Sequence, residues 1–408
     1  MRVLGIIAEY NPFHNGHLYH LRESVRFCEP DFTVCVMSGD FTQRGEPAMA
    51  DKWIRASMAV KNGIDLVLEL PFAYACNNAE YFAAGAVGIL DRLGCVTHLS
   101  FGSEAGDLAV LSEAAEYLAH EDEELKTSIR EFADQGMSFP KARYEAVKKC
   151  RGASLSEVLK DANNILAVEY LKQLRLIGSL IEPVTVKRYG TGYHDKNAFE
   201  NIASASAIRC RMSGSDNISG ISKYIPVESY QVLQNIDRGV NISFNDFYRL
   251  LIYKILISQT EELGNILSAT EGLENRVKKA AAESVDMESL IKAVLSKRYT
   301  STRIRRLLTH ILVGLDKESF RYITDRRIGY ARILGFNRKG ASLLKRIKKE
   351  GRSEIPVLTN INREIAKDSE EWRLLAYDIA ASDVYHLAAY GEIYTRSDFV
   401  MKPYRNFE

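Results

Sequence analysis

The chain has 408 residues, 46% hydrophobic and 26% charged, with 54 Lys and Arg against 53 Asp and Glu for a formal net charge of +1. That balance excludes a disordered or fibrous polymer, and the length predicts two or three domains that each bury a core. Six scattered cysteines without a CxxC pair point to reduced thiols in a cytoplasmic protein, and the short apolar run at the N-terminus fits neither a signal peptide nor a bilayer span, so no membrane partner is expected.

In chain order, "RVLGIIAEY" reads as a strand, "HNGHLYHLRESVRFC" as a helix and "FTVCVMSGD" as a second strand. "PAMADKWIRASMAVKNG" reads as a helix with Pro47 near its start and Gly63 after its end. "DLVLELP" is a third strand, "AEYFAAGAVGILDRLG" a helix closed by Gly94, and "VTHLSFGSE" a fourth strand. Alternation with short connections predicts an α/β domain whose parallel sheet is covered by helices on both faces. Ligands bind such sheets beyond the strands' carboxyl ends, here Glu9 to His17, Ser38 to Arg44, Pro71 to Asn78 and Gly102 to Glu104. Helical patterns follow Asp107 through Lys149, then "NNILAVEYLKQLRLIG" supplies a helix and "EPVTVKRYG" a strand. From about Tyr224 onward, helical patterns such as "FYRLLIYKILIS" and "TRIRRLLTHILVGL" dominate with few strand signals. A boundary falls between residues 215 and 240, giving an α/β domain over 1–220 and a mainly α-helical, basic domain over 221–408.

The motif with most chemical content is His14-Asn15-Gly16-His17, placed where the first strand hands over to the first helix. Imidazoles at i and i+3 share a helix face, and the open N–H groups and positive dipole end of a helix start attract an anion. Gly16 removes a side chain where a phosphate would approach the backbone. The same pair would also serve as a simple helix cap. A zinc pair fits less well, since no third ligand follows at a familiar spacing, and no metal-ligating set is expected.

With its surroundings this turn resembles the HIGH superfamily of nucleotidyltransferases, and specifically the bacterial tRNA(Met) cytidine acetate ligase family. The matching blocks are "GIIAEYNPFHNGH", "VMSGDFTQRGEPA", "LPFAYACNNAEYFAAGAV", "SFGSE", "NNILAVEYL", "KRYGTGYHD", "ASASAIR", "TSTRIRRLLTHILVGL" and "YARILGFNRKGASLLKRIK", in order over nearly the whole chain. The resemblance implies a Rossmann-like HIGH nucleotidyltransferase domain that makes acetyladenylate from acetate and ATP. The acetyl group then passes to the N4 amine of the wobble cytidine in elongator tRNA(Met). It implies that His14 and His17 bind phosphate, that Ile7, Ala8, Glu9, Tyr10, Asn11, Pro12, Phe13, Asn15 and Gly16 complete the ATP-binding turn, and that Gly102, Asn163 or Asn164, and Arg188 contact the nucleotide. In "SASAIR", Ser204, Ser206 and Arg209 fall on the second phosphate element, with Ala205 where many relatives carry a hydroxyl. Mg²⁺ is expected as the ATP counterion, bound mainly through phosphates and water.

Asp40, Gln43 and Arg44 lie beyond the second strand; Asp40 is a candidate to orient the cytidine amine or accept its proton, Arg44 to meet acetate or RNA phosphate. Lys52 reads as a solvated lysine or a phosphate contact. Acyl selectivity would depend on the packing of Ala8, Tyr10 and Phe41. Between Leu290 and Arg352 eighteen Lys and Arg face four Asp and Glu, the footprint of a surface that meets a polyanion. Arg303, Arg305, Arg306, Arg338, Lys339, Lys345 and Arg346 are the tRNA-binding candidates, with Tyr330 and Phe336 interleaved for base stacking. Two other readings stand beside the ligase: a small-molecule adenylyltransferase of the pantetheine-phosphate or nicotinamide-mononucleotide type, which leaves the basic half unexplained, and a non-catalytic RNA-binding protein.

Overall fold

In the computed structural model, residues 1–188, 201–213, 218–236, 241–270, 272–361, 365, 369–393 and 398–407 are described. The "KRYGTGYHD" block beyond Arg188 and parts of the expected boundary region, 215–217 and 237–240, lie outside them.

The five strands expected from the first half form β1 (Val3–Ala8), β2 (Phe32–Ser38), β3 (Leu66–Leu70), β4 (His98–Ser103) and β5 (Glu182–Lys187). They pair in parallel in the order β5-β4-β1-β2-β3. Every residue of β2 and β3 is buried, which is why these strands read as continuous apolar runs rather than alternating ones. Side chains still alternate between faces with period two. Val34, Val36, Leu66 and Leu68 pack in one cluster, while Cys35, Met37 and Val67 join Leu4 and Ile6 in the other. On the latter face lie α1 (Asn15–Cys28) and α2 (Lys52–Lys61), and on the former α3 (Ala79–Arg92) and α4 (Ala162–Leu176). Helix α2 starts five residues after Pro47, because Asp51 caps it by accepting the Ile54 N–H at 2.9 Å.

The second half is mainly helical, as expected, but it also supplies strands. Beyond α5 (Ala205–Ser213) and a helical stretch that includes α6 (Ser301–Val313), the run "ARILGFN" forms β6 (Ala331–Asn337), antiparallel to β3. Helix α7 (Arg338–Glu350) follows, then β7 (Val357–Leu358) beside β6, α8 (Glu370–Tyr390), and β8 (Tyr404–Asn406), which also pairs with β6. The first half's sheet is therefore completed by strands from the last eighty residues. A short apolar run fits a buried strand as well as a helix segment; the free edge of β3, whose N–H and C=O groups need partners, decides between them.

A buried ionic cluster locks this closure. Lys52, fully buried, places Nζ 2.8 Å from Glu69 Oε1 and 2.9 Å from Asp398 Oδ2, and Arg332 on β6 sits 2.7 Å from the same Asp398 oxygen. Lys52 is thus neither a solvated lysine nor a phosphate contact: two carboxylates in a dry interior hold its amine well above the usual ammonium range despite burial. None of the six cysteines is bridged. Among the described residues, no helix is long and apolar enough to cross a membrane.

Candidate active site

The carboxyl edge of the parallel strands collects the residues singled out above. After β1, Tyr10 takes a left-handed backbone (φ 45°), a cis peptide joins Asn11 to Pro12, and the chain enters α1 with His14 as N-cap. His14 Nδ1 accepts the Gly16 N–H at 3.0 Å and His17 Nδ1 the His14 N–H at 3.3 Å, a reciprocal capping box built from two imidazoles. The rings stack with centroids 3.7 Å apart and 23° between planes. The helix start's free N–H groups are therefore partly used by the histidines themselves. What this turn offers a ligand is chiefly the Nε2–H edge, since a ring accepting at Nδ1 carries its proton on Nε2.

Both imidazoles are held neutral. Burial, reinforced by the Arg188 and Arg209 guanidinium groups, pushes His14 down to about 3. Burial together with His14 and Arg188 depresses His17 well below the usual range, against a partial opposing pull from the Pro12 carbonyl. Gly16 has a more local reason than phosphate access alone: a Cβ there would lie 2.9 Å from His14 Cε1 and 3.0 Å from Nδ1. A third histidine missed in the sequence, His20, continues the same face, with Nε2 3.2 Å from Ser100 Oγ.

The second phosphate element folds back onto the first. Ser204 caps α5 by accepting the Ala207 N–H at 3.2 Å, Ser206 is exposed, and Arg209 donates to the Asn11 carbonyl at 2.8 Å and to Ser206 Oγ at 3.4 Å. Asn15 Nδ2 donates to the carbonyls of Asn201 and Lys223, both at 2.9 Å. On the other side of His14, Arg188 follows β5 and its aliphatic stem lies over Gly102, where a Cβ would sit 3.1 Å from Arg188 Cγ. Glu104, not singled out from the sequence, organises this side. It accepts from Asn163 Nδ2 at 2.5 Å and from the Asn164 N–H at 3.0 Å, and lies 4.0 Å from Arg188 Nε. The Asn163/Asn164 alternative separates: Asn164 is buried with Oδ1 accepting the Ala105 N–H at 3.0 Å, whereas Asn163 is partly exposed.

Asp40 sits deeper than expected. Its Oδ1 accepts the Lys52 N–H at 2.7 Å, its Oδ2 accepts from Ser382 Oγ at 2.6 Å, and it is 3% exposed. With both oxygens engaged inside the protein, it is placed to position the Ser38-to-Arg44 loop rather than to meet a cytidine amine directly. Tyr10 and Phe41 also part company, since Tyr10 packs on Phe13 and His17, and Phe41 on Phe72, Phe247 and Tyr385. They therefore do not form one acyl pocket with Ala8.

Arg55 was invisible in the sequence and is the main tie across this edge. Fully buried, it donates to the carbonyls of Ala50 (2.9 Å), Glu9 (2.6 Å), Ser38 (3.0 Å) and Gly39, joining the ends of β1 and β2. Glu9 in turn accepts the Gln43 N–H at 2.8 Å.

The tRNA-binding candidates divide. Arg305 and Arg306 on α6 hold the loop after β2, through Glu46 Oε1 at 3.0 Å and the Gln43 carbonyl at 3.3 Å. Gly45 (φ 76°) packs so closely that a Cβ would lie 2.3 Å from the Arg306 nitrogen. Arg303 donates to Thr270 Oγ1 at 2.8 Å and stacks over Tyr299. Arg338, Lys339, Lys345 and Arg346 belong to α7, at the opposite edge of the sheet. The two aromatics thought to interleave them, Tyr330 and Phe336, are buried.

A two-imidazole helix start at the carboxyl edge of a parallel sheet, flanked by two arginines, defines a nucleotidyl-transfer fold. A family model for HIGH nucleotidyl transferases matches residues 1–398, and the chain belongs to that family. It is 43% identical over 403 residues to a protein of Thermoanaerobacter sp. (strain X514) named tRNA(Met) cytidine acetate ligase, covering 98% of both chains. A Caldicellulosiruptor bescii protein of the same name is 40% identical, with 99% of this chain and 98% of that one covered. Among solved structures, Thermotoga maritima TmcAL bound with alpha-thio ATP superposes with a TM-score of 0.91 at 32% identity over 100% of both chains.

Proposed function

We propose that the protein is an ATP-dependent ligase that acetylates N4 of the wobble cytidine in elongator tRNA(Met), in the cytoplasm, using free acetate. The observation that carries this reading is the pair of neutral imidazoles, His14 and His17, presented between Arg188 and Arg209 in a chain matching tRNA(Met) cytidine acetate ligases end to end. In the first step an acetate oxygen bonds to the α-phosphorus of ATP as the bond to the bridging oxygen breaks, leaving acetyladenylate and pyrophosphate. In the second, the N4 lone pair attacks the acetyl carbon, the bond to the AMP oxygen breaks, and the amine loses a proton.

Neutral Nε2–H donors suit the first step because they donate to phosphate oxygens while holding their proton far more tightly than an imidazolium would, and because they are fixed before the charge develops. Arg209 and Ser206 are assigned to the departing pyrophosphate; Gly102, Asn163 and Arg188 to the nucleoside side; the backbone from Ile7 to Asn15 to the walls. Mg²⁺ is assigned to the phosphate oxygens of the nucleotide, with which it would enter. Asp40 is assigned a positioning role, through the loop it anchors.

The test is acetate-dependent exchange of pyrophosphate into ATP, followed by transfer of labelled acetate to tRNA(Met), with acetyl-CoA as a separate donor. Both activities are expected with free acetate. Exchange driven by pantetheine phosphate or nicotinamide mononucleotide instead would replace this reading with the small-molecule adenylyltransferase, and RNA binding without exchange would leave a non-catalytic protein.

A further inference from the structure

Helix α7 carries six cations, Arg338, Lys339, Lys345, Arg346, Lys348 and Lys349, and one acid, Glu350, in 13 residues. Its apolar stripe, Leu343 and Ile347, is buried against the sheet, and all six cations are exposed. Its course is transverse. Gly340 abuts the Asp65 carbonyl just before β3, Arg346 lies over the ring of Phe32 at the start of β2 and reaches Met1 Sδ, and Arg352 packs on Gly94 ahead of β4. The helix thus runs along the amino ends of the parallel strands, about 20 Å from the histidines at roughly 3.3 Å per strand residue. A groove of about 680 Å³ opens beside it, lined by Met1, Pro30, Asp31, Phe32, Ser342 and the cations Arg338, Lys339 and Arg346. Glu350 is already paired with Arg352 at 3.2 Å, and among the described residues no ion pair engages the six cations.

We propose that α7 is a second RNA-binding surface, gripping the phosphate backbone of the tRNA outside its anticodon arm while the wobble base is held at the opposite edge. Like charges crowded without acidic partners repel one another, and a polyanion relieves that repulsion while releasing its own counterions. This rests on the ligase reading, which supplies an RNA long enough to pass round the sheet. The contacts of α7 are assigned to the tRNA body, which an isolated anticodon stem-loop lacks.

The experiment compares intact tRNA(Met) with its isolated anticodon stem-loop, by filter binding over a range of salt and by acetylation, for the full chain and for R338E/K339E/R346E. The variant is expected to bind intact tRNA at least tenfold more weakly. Its slope of log affinity against log salt should be shallower by about two to three, from roughly 0.7–0.9 per lost phosphate contact. Stem-loop binding, stem-loop acetylation and acetate-dependent pyrophosphate exchange should stay within twofold. If that variant does not fold, K345Q/K348Q/K349Q, whose side chains make no ion pair among the described residues, is expected to weaken intact tRNA at least threefold by the same assay. Undiminished intact-tRNA binding overturns the proposal, as does an equal loss for both RNAs, which would place α7 at the transfer site. An unmodified protein that binds intact tRNA yet never acetylates it overturns the ligase reading alone, and the comparison of affinities still decides α7.

Discussion

His14 and His17 show how much one residue's surroundings determine its chemistry. Their Nδ1 atoms cap the helix, so removing either ring removes a cap and a phosphate donor together. His17→Ala is expected to lower acetate-dependent pyrophosphate exchange by at least 100-fold, while the lost cap costs about 1 kcal/mol of stability by urea unfolding. Gly16→Ala separates the two: the new Cβ displaces the His14 ring by a few tenths of an ångström, and steady-state exchange should show KM for ATP rising about tenfold with the fold intact. A stability loss without a change in KM would mean that the ring position is unimportant. Arg55 works differently, since it touches only backbone carbonyls of the protein. Arg55→Met strands several buried acceptors, each costing about 1–3 kcal/mol, and chemical denaturation should report a loss of 3 kcal/mol or more.

At the level of elements, the order of the first half was legible because each strand and helix carries its own period, cap or closing glycine. Helix α2 starts later than Pro47 suggests, because Asp51 supplies the side-chain cap. Strand β6 was missed because a seven-residue run broken by Arg332 and Gly335 shows no clear period of its own; its conformation is set by the open edge of β3, nearly 270 residues away. Helix α8 illustrates the same distance effect. Ser382 Oγ donates to Asp40, Tyr385 OH to the Ala48 carbonyl at 2.8 Å, and Tyr390 OH to Asp51 Oδ2 at 2.9 Å, so a C-terminal helix fixes the loop that follows β2. Ser382→Ala removes the hydroxyl donor on Asp40 Oδ2 and leaves that buried oxygen with the Lys52 ammonium 4.0 Å away. Reduced acetyl transfer with unchanged exchange is expected, because the Asp40 side chain bonds Lys52 and Ser382 rather than the residues assigned to ATP; equal loss of both would show that it supports adenylation instead.

For the whole molecule, buried ionisable groups tie stability to pH in a defined direction. His14 is depressed to about 3, and His20 and His310 to about 4, in each case first by burial. Each binds a proton in the unfolded chain near 6.5 but resists one when folded, so their contribution is complete above 6.5 and is lost as pH falls toward those depressed values. Unfolding free energy should fall by about 1.4 kcal/mol per pH unit per histidine in that window, measured by denaturant titration at pH 7, 6 and 5. ATP binding, measured over the same range while the protein stays folded, should show no histidine titration. The ionic cluster gives a second readout. Asp398→Ala leaves Lys52 and Arg332 buried with Glu69 shared between them and Asp40 4.0 Å from Lys52, and is expected to destabilise the fold by about 3–5 kcal/mol although it lies far along the chain from both cations.

The sequence by itself determined the alternation of strands and helices, the parallel core of the sheet and the two-imidazole turn, because each is encoded in a few neighbouring residues whose spacing sets their geometry. Tertiary structure alone decided that Lys52 and Asp40 are interior, that Arg55 and Glu104 organise the site, and that the basic residues divide between a loop-holding helix at one edge and an exposed helix at the other. These outcomes depend on which distant segment supplies the partner for a charge or a free strand edge, and local pattern carries no record of that partner.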